Sequence, residues 1–149
     1  MQKIRVSKQF TFEAAHALKG YDGLCKHIHG HSYELIVTVI GNVIDDKESV
    51  KLGMVIDFGD LKRIVNETIV NKLDHALVIR KESLTDPMNI NAEYFGKTIF
   101  VDYQPTSENM IVDFAQRLQA ALPSHLKLHH LRLRETANSY AEWYAADNE

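Results

Sequence analysis

Hydrophobic and polar residues alternate with a period of two through the amino-terminal part of the chain, then switch to helical spacing. Ile4, Val6, Phe10, Phe12 and Ala14 share one face of a first run, and His16 falls on that face at its end. From His29 to Gly41 the alternation puts His29, His31, Tyr33, Leu35, Val37 and Val39 on one side, with Ser32, Glu34, Ile36, Thr38 and Ile40 on the other. Both runs read as half-buried strands. The polar stretch from Asn42 to Gly53 reads as a hairpin loop, and Met54-Val55-Ile56 as a short strand. Leu61, Ile64, Val65, Thr68 and Ile69 follow helical spacing after a cap at Asp57 or Asp60, and this helix ends near Asn71 to Asp74. Arg80 to Gln104 has weak periodicity except at Thr98-Ile99-Phe100-Val101, so it reads as a long excursion closing in a short strand.

A second helix starts at Pro105-Thr106-Ser107-Glu108, with Ile111, Phe114, Ala115, Leu118 and Leu122 as its buried stripe, and stops at Pro123. Two strands follow, Leu128 to Glu135 and Ser139 to Tyr144, joined by a tight turn at Ala137-Asn138. The predicted order is strand, strand, helix, helix, strand, strand, in an α+β fold.

The two strands place three histidines where they can converge. His29 and His31 project from one face, and His16 ends the neighbouring run. Neutral imidazole suits zinc, and three protein ligands without an obvious fourth is the set of a catalytic zinc that keeps a position open. The competing reading makes the His-x-His an ordinary surface or core pair. His27, His125, His129 and His130 show no comparable pattern and read as surface or strand histidines. Cys25, the single cysteine, precedes the His-x-His and is either a buried small hydrophobe or a reactive thiol.

Length and charge narrow the classes. The 149 residues suffice for one domain, 1–149, with a proper core and no disulfide. The 17 Lys and Arg are scattered among 20 acids for a net charge of −3, which argues against a nucleic-acid surface. The start, Met1-Gln2-Lys3-Ile4-Arg5, lacks an apolar signal core and no run is long enough to span a membrane, so a cytoplasmic location and no membrane partner are expected.

Six stretches carry a family resemblance: Phe12-Glu13-Ala14-Ala15-His16, Cys25-x-x-x-His29-Gly30-His31, Gly53-Met54-Val55-Ile56-Asp57-Phe58, Leu73-Asp74-His75, Pro105-Thr106-Ser107-Glu108-Asn109 and Leu133-Arg134-Glu135-Thr136. Together and in this order they resemble the 6-pyruvoyltetrahydropterin synthase family over nearly the whole chain. The three residues between Cys25 and His29 resemble its carboxy-forming branch, of queuosine and deazapurine synthesis, since the pyruvoyl-forming branch usually has a longer spacer.

The resemblance implies the tunnelling fold, an antiparallel sheet with two helices on one face, in a homo-oligomeric ring, a trimer stacked into a hexamer. It implies a small-molecule substrate, 7,8-dihydroneopterin triphosphate, converted to 6-carboxytetrahydropterin with release of acetaldehyde and triphosphate. Zn2+ would be held by His16, His29 and His31. Cys25 would move a proton at the side chain, and Asp74 with His75 would supply a second acid/base group, brought in from a neighbouring subunit. Glu135 would pair with the amino group and ring N–H of the pterin, and Thr106 and Ser107 would flank the ring. Pyruvoyl-forming synthesis and non-catalytic pterin binding are the alternatives. The chain departs from the family after His75, where Ala76-Leu77-Val78-Ile79 replaces the usual continuation, and in the long segment from Arg80 to Gln104. Lys26 and His27 lie near the metal residues in sequence and are weak candidates for the triphosphate.

Overall fold

The computed structural model describes residues 2–83 and 95–149. Strands β1 (Lys3–His16) and β2 (His29–Asn42) pair antiparallel along their full length, with His16 opposite His29 and Ala14 opposite His31. β5 (Lys127–Thr136) pairs antiparallel with β2, and β6 (Ser139–Tyr144) with β5. These four long strands are the antiparallel sheet the alternation predicts.

Two shorter strands make the sheet mixed. β3 (Ala76–Arg80) lies parallel to the end of β1, and β4 (Thr98–Val101) parallel to β3, giving the order β4-β3-β1-β2-β5-β6. The sequence pattern does not assign β3. Its Ala76, Leu77, Val78 and Ile79 are all buried, as an inner parallel strand requires, and such a continuous apolar run has no alternation to reveal it. Met54-Val55-Ile56, expected as a strand, is not one. Its backbone closes the preceding loop instead, Ile44 N–H donating to Met54 O at 2.9 Å and Gly53 N–H to Ile44 O at 2.9 Å. The expected excursion from Arg80 to Gln104 falls partly on residues 84–94, outside the described residues, and does end in the strand at Thr98.

Helix α1 (Phe58–Val65) starts at Asp57, whose carboxylate accepts the Gly59 N–H at 2.7 Å, and buries Leu61, Ile64 and Val65. It widens into a π-turn (Asn66–Val70), where Thr68 Oγ1 donates to Ile64 O at 2.7 Å, and finishes in the short α2 (Asn71–Leu73). Helix α3 (Ser107–Ala121) is capped by Thr106 and buries Met110, Ile111, Phe114, Ala115 and Leu118.

Both long helices cover one face of the sheet. Phe10, Phe12, Tyr33, Leu35, Val37, Leu131 and Leu133 of that face form the core with them. Phe12 stacks on Tyr33 at 5.1 Å and meets Phe114 edge-on at 6.2 Å. The opposite face is polar, with Ser7 bonded to Thr38 at 2.7 Å and the Arg132 guanidinium 3.7 Å over the Tyr140 ring. Among the described residues no helix is long and apolar enough to cross a membrane.

Candidate active site

The pairing of β1 with β2 assembles the three histidines. Period two points His16, His29 and His31 to the helix-covered face, and the register brings their ligand atoms within 4.8 Å of one another. His16 Nε2 lies 2.9 Å from His29 Nε2 and 3.1 Å from His31 Nε2. The other nitrogens fix the tautomers. His16 Nδ1–H donates to Pro105 O at 2.7 Å and His29 Nδ1–H to His27 O at 2.7 Å, so each Nε2 presents a lone pair.

Two lone pairs pointed at each other across 2.9 Å repel unless a positive charge sits between them. Protons are disfavoured there. Burial, before any other cause, lowers the pKa of His16 and of His31 below the ordinary imidazole value. The donor set therefore fits a divalent metal, and imidazole nitrogens suit zinc among the available ions.

Two further side chains close on the triad. Glu135 Oε1 is 3.5 Å from His16 Nε2 and 3.6 Å from His31 Nε2. Tyr33, buried two places beyond His31, brings its hydroxyl to 3.4 Å from His16 Nδ1, and its pKa is raised by burial first and then by the Glu135 charge. Sequence reasoning did not single out Tyr33 as a site residue, although its place on the histidine face of β2 was a usable signal. The carbonyls of Pro105 and His27 were also missed.

Cys25 is exposed on a 3₁₀ turn, Leu24–Lys26, between the two strands. Its carbonyl accepts the Leu18 N–H at 3.0 Å, which folds this loop back beside the end of β1 that carries His16.

Asp74 and His75 form a pair, His75 Nδ1 lying 3.1 Å from Asp74 Oδ1. That oxygen also accepts the Glu13 N–H at 2.9 Å, and this backbone bond is the main reason the Asp74 carboxyl is held below its usual pKa. His75 adopts a left-handed backbone with φ 60°, and its N–H donates to Glu13 O at 2.6 Å. The ring opens onto a cleft of 390 Å³ bordered by Glu13, Ala15, Gly30 and Ser32, with Ala14 and His31 between them. Glu13, Ala15, Gly30 and Ser32 alternate with the metal-facing positions and so belong to the sheet face opposite the triad, while the cleft also reaches His31. Among the described residues no hydrogen bond or ion pair joins Asp74 or His75 to the triad.

Thr106 caps α3, its Oγ1 accepting the Asn109 N–H at 3.3 Å. Ser107 is buried, with no partner for its hydroxyl among the described residues. Pro105, just before them, supplies the carbonyl that orients His16, so this segment abuts the triad through its backbone.

Residues 5–146 match the family model described as 6-pyruvoyl tetrahydropterin synthase. The chain belongs to this family. Its relatives include a 6-carboxy-5,6,7,8-tetrahydropterin synthase of Haemophilus influenzae, 35% identical over 93% of this chain and 97% of the relative. One of the same name from Synechocystis is 31% identical over 94% of this chain and 92% of the relative. Among solved structures, the Caenorhabditis elegans 6-pyruvoyl tetrahydropterin synthase superposes with a TM-score of 0.68 at 23% identity, covering 97% of each chain. The Plasmodium falciparum 6-pyruvoyl tetrahydropterin synthase gives a TM-score of 0.70 at 23% identity, over 95% of this chain and 98% of that one. At that identity the structures establish the family's fold, a curled mixed sheet with two long helices on one face. The chain is an enzyme of the tetrahydropterin synthase kind.

Proposed function

We propose that this chain is a zinc-dependent 6-carboxytetrahydropterin synthase, a lyase acting on 7,8-dihydroneopterin triphosphate in the cytoplasm. The observation that carries the metal part is the convergence of Nε2 lone pairs, with Nδ1–H of His16 and His29 fixed on backbone carbonyls. The relatives named as 6-carboxytetrahydropterin synthases carry the choice of product.

His16, His29 and His31 would hold the metal, and a bound divalent cation there makes neighbouring substrate hydroxyls and C–H bonds more acidic. The remaining roles belong to the chain's own groups. Cys25, exposed beside the end of β1, carries a proton to or from the substrate side chain. Asp74 accepts from His75 Nδ1–H, which orients the ring and leaves Nε2 free to act in proton transfer. The placement of this pair on the opposite sheet face favours an active site shared between copies, in which the Asp74-His75 of one chain meets the triad of another. Glu135 receives the amino group and ring N–H of the pterin, with Thr106 and Ser107 beside the ring.

The test is incubation of zinc-loaded protein with 7,8-dihydroneopterin triphosphate, following pterin product and acetaldehyde together. Carboxytetrahydropterin with matching acetaldehyde is expected. A pyruvoyl product without acetaldehyde would place the chain in the other branch, and no turnover by folded, metal-loaded protein would leave pterin binding alone. Cys25→Ala is expected to keep its metal and lose turnover by about 10²-fold or more, read by metal analysis beside the product assay.

A further inference from the structure

Glu135 sits at an irregularity in the β5–β6 ladder. Arg134 pairs with Tyr140 and Thr136 with Ser139, so Glu135 is an extra residue without a partner on β6. A bulge of this kind re-aims one side chain. Here the carboxylate goes to the triad, with Oε1 3.5 Å from His16 Nε2 and 3.6 Å from His31 Nε2. Neither contact is a hydrogen bond. Both exceed hydrogen-bond length, and His16 has its proton on Nδ1, engaged with Pro105 O.

A carboxylate oxygen facing the unprotonated His16 Nε2 and the neighbouring His31 Nε2 is an arrangement for sharing a cation. Donors about 2.0–2.2 Å from a tetrahedral zinc lie about 3.3–3.6 Å from one another, the spacing Glu135 Oε1 keeps from both rings. Among the described residues no other carboxylate comes within salt-bridge distance of the triad. The buried Tyr33 hydroxyl faces the Glu135 carboxylate and limits its retreat into the core. About a quarter of the Glu135 side chain stays exposed, enough for a ligand to reach the same oxygens.

We propose that Glu135 is the fourth protein ligand of the metal while the site holds no pterin, and that an arriving pterin draws the carboxylate away and opens the coordination position. The inference rests on the metal reading of the triad and on Glu135 as the pterin contact. The metal position is then kept closed until the ring that belongs beside it has docked.

Cobalt(II) in place of zinc reports coordination number through its visible absorption. The full chain loaded with Co2+ is expected to show the intense bands of a four-coordinate site, which change when 7,8-dihydroneopterin, lacking the triphosphate leaving group, is added. Glu135→Gln is expected to alter the starting spectrum, remove the response to the pterin, and weaken zinc binding about tenfold or more in competition with a chelating dye. Thermal unfolding of the metal-free variant separates a folding defect from a lost ligand, and Glu135→Asp, which keeps the charge on a shorter arm, should recover part of the zinc affinity. Zinc affinity within twofold of wild type and an unchanged cobalt spectrum in Glu135→Gln would overturn the proposal. So would a wild-type cobalt spectrum that stays fixed while pterin fluorescence shows the site filled. Loss of pterin binding in Glu135→Gln with the metal site unaltered would leave the proposed function standing and remove the ligand role.

Discussion

His16 is 1% exposed and its ring is committed at both nitrogens, one to a backbone carbonyl and one to the centre of the triad. Without metal this is a burden whose sign follows from its pKa. Burial lowers the folded value beneath the ordinary 6.5, so the unfolded chain binds more protons as pH falls through that value. Stability of the chelated protein is therefore complete above about pH 6.5 and declines below it. Urea midpoints between pH 8 and 5 should show this decline, and His16→Gln should make it shallower, with His31 supplying the remainder. His75 presents a different cost. Its φ of 60° is a conformation that favours glycine, so His75→Gly is expected to raise stability by about 0.5–1 kcal/mol while abolishing turnover, read by urea unfolding and the product assay. The triad was legible in the sequence because residue type and period-two spacing carry that information, whereas Glu135 was named only through the family resemblance. The orienting oxygens of Pro105 and His27 were not, since every residue has a carbonyl and only tertiary packing decides which one meets a ring.

At the scale of elements, the helices hold the sheet face that the histidines share. Asp57 caps α1 through Gly59 and also pairs with Lys51, so Asp57→Ala is expected to cost about 1 kcal/mol, seen as a lower urea midpoint with metal content unchanged. A second tie joins α3 to its surroundings. Arg117 grips Asp113 through Nε at 2.9 Å and Nη2 at 2.8 Å, and the Tyr103 hydroxyl donates to Asp113 at 2.6 Å. Arg117 Nη1 also donates to Thr68 O at 3.4 Å, which links α3 to the π-turn. Tyr103→Phe leaves the arginine pair in place and should cost about 1 kcal/mol by the same measurement. The long strands and both long helices were readable from periodicity and caps. β3 was not, because Ala76 to Ile79 is apolar at every position and its strand character comes from lying between β1 and β4. Met54 to Ile56 misled for the opposite reason, being apolar enough for a strand but engaged with Ile44 in closing a loop.

For the molecule as a whole, the sheet stands between the histidine triad on one face and the Asp74-His75 pair on the other. The sequence motifs name both groups but say nothing of the layer that separates them, because that depends on the register of β1 with β2 and on the turn at His75. Mixing a His29→Ala variant with an Asp74→Ala variant, each inactive alone, should restore partial turnover after subunit exchange. Two noninteracting chains would restore none. Metal capture and chemistry should also part company on dilution. Zinc uptake per chain would stay constant, since one chain owns all its donors, whereas turnover per chain would fall below the concentration at which copies associate. Synthesis of the product would then have a threshold in the amount of protein made, so that a cell with few copies would hold charged but silent chains, and each further copy would add more than its own share of activity.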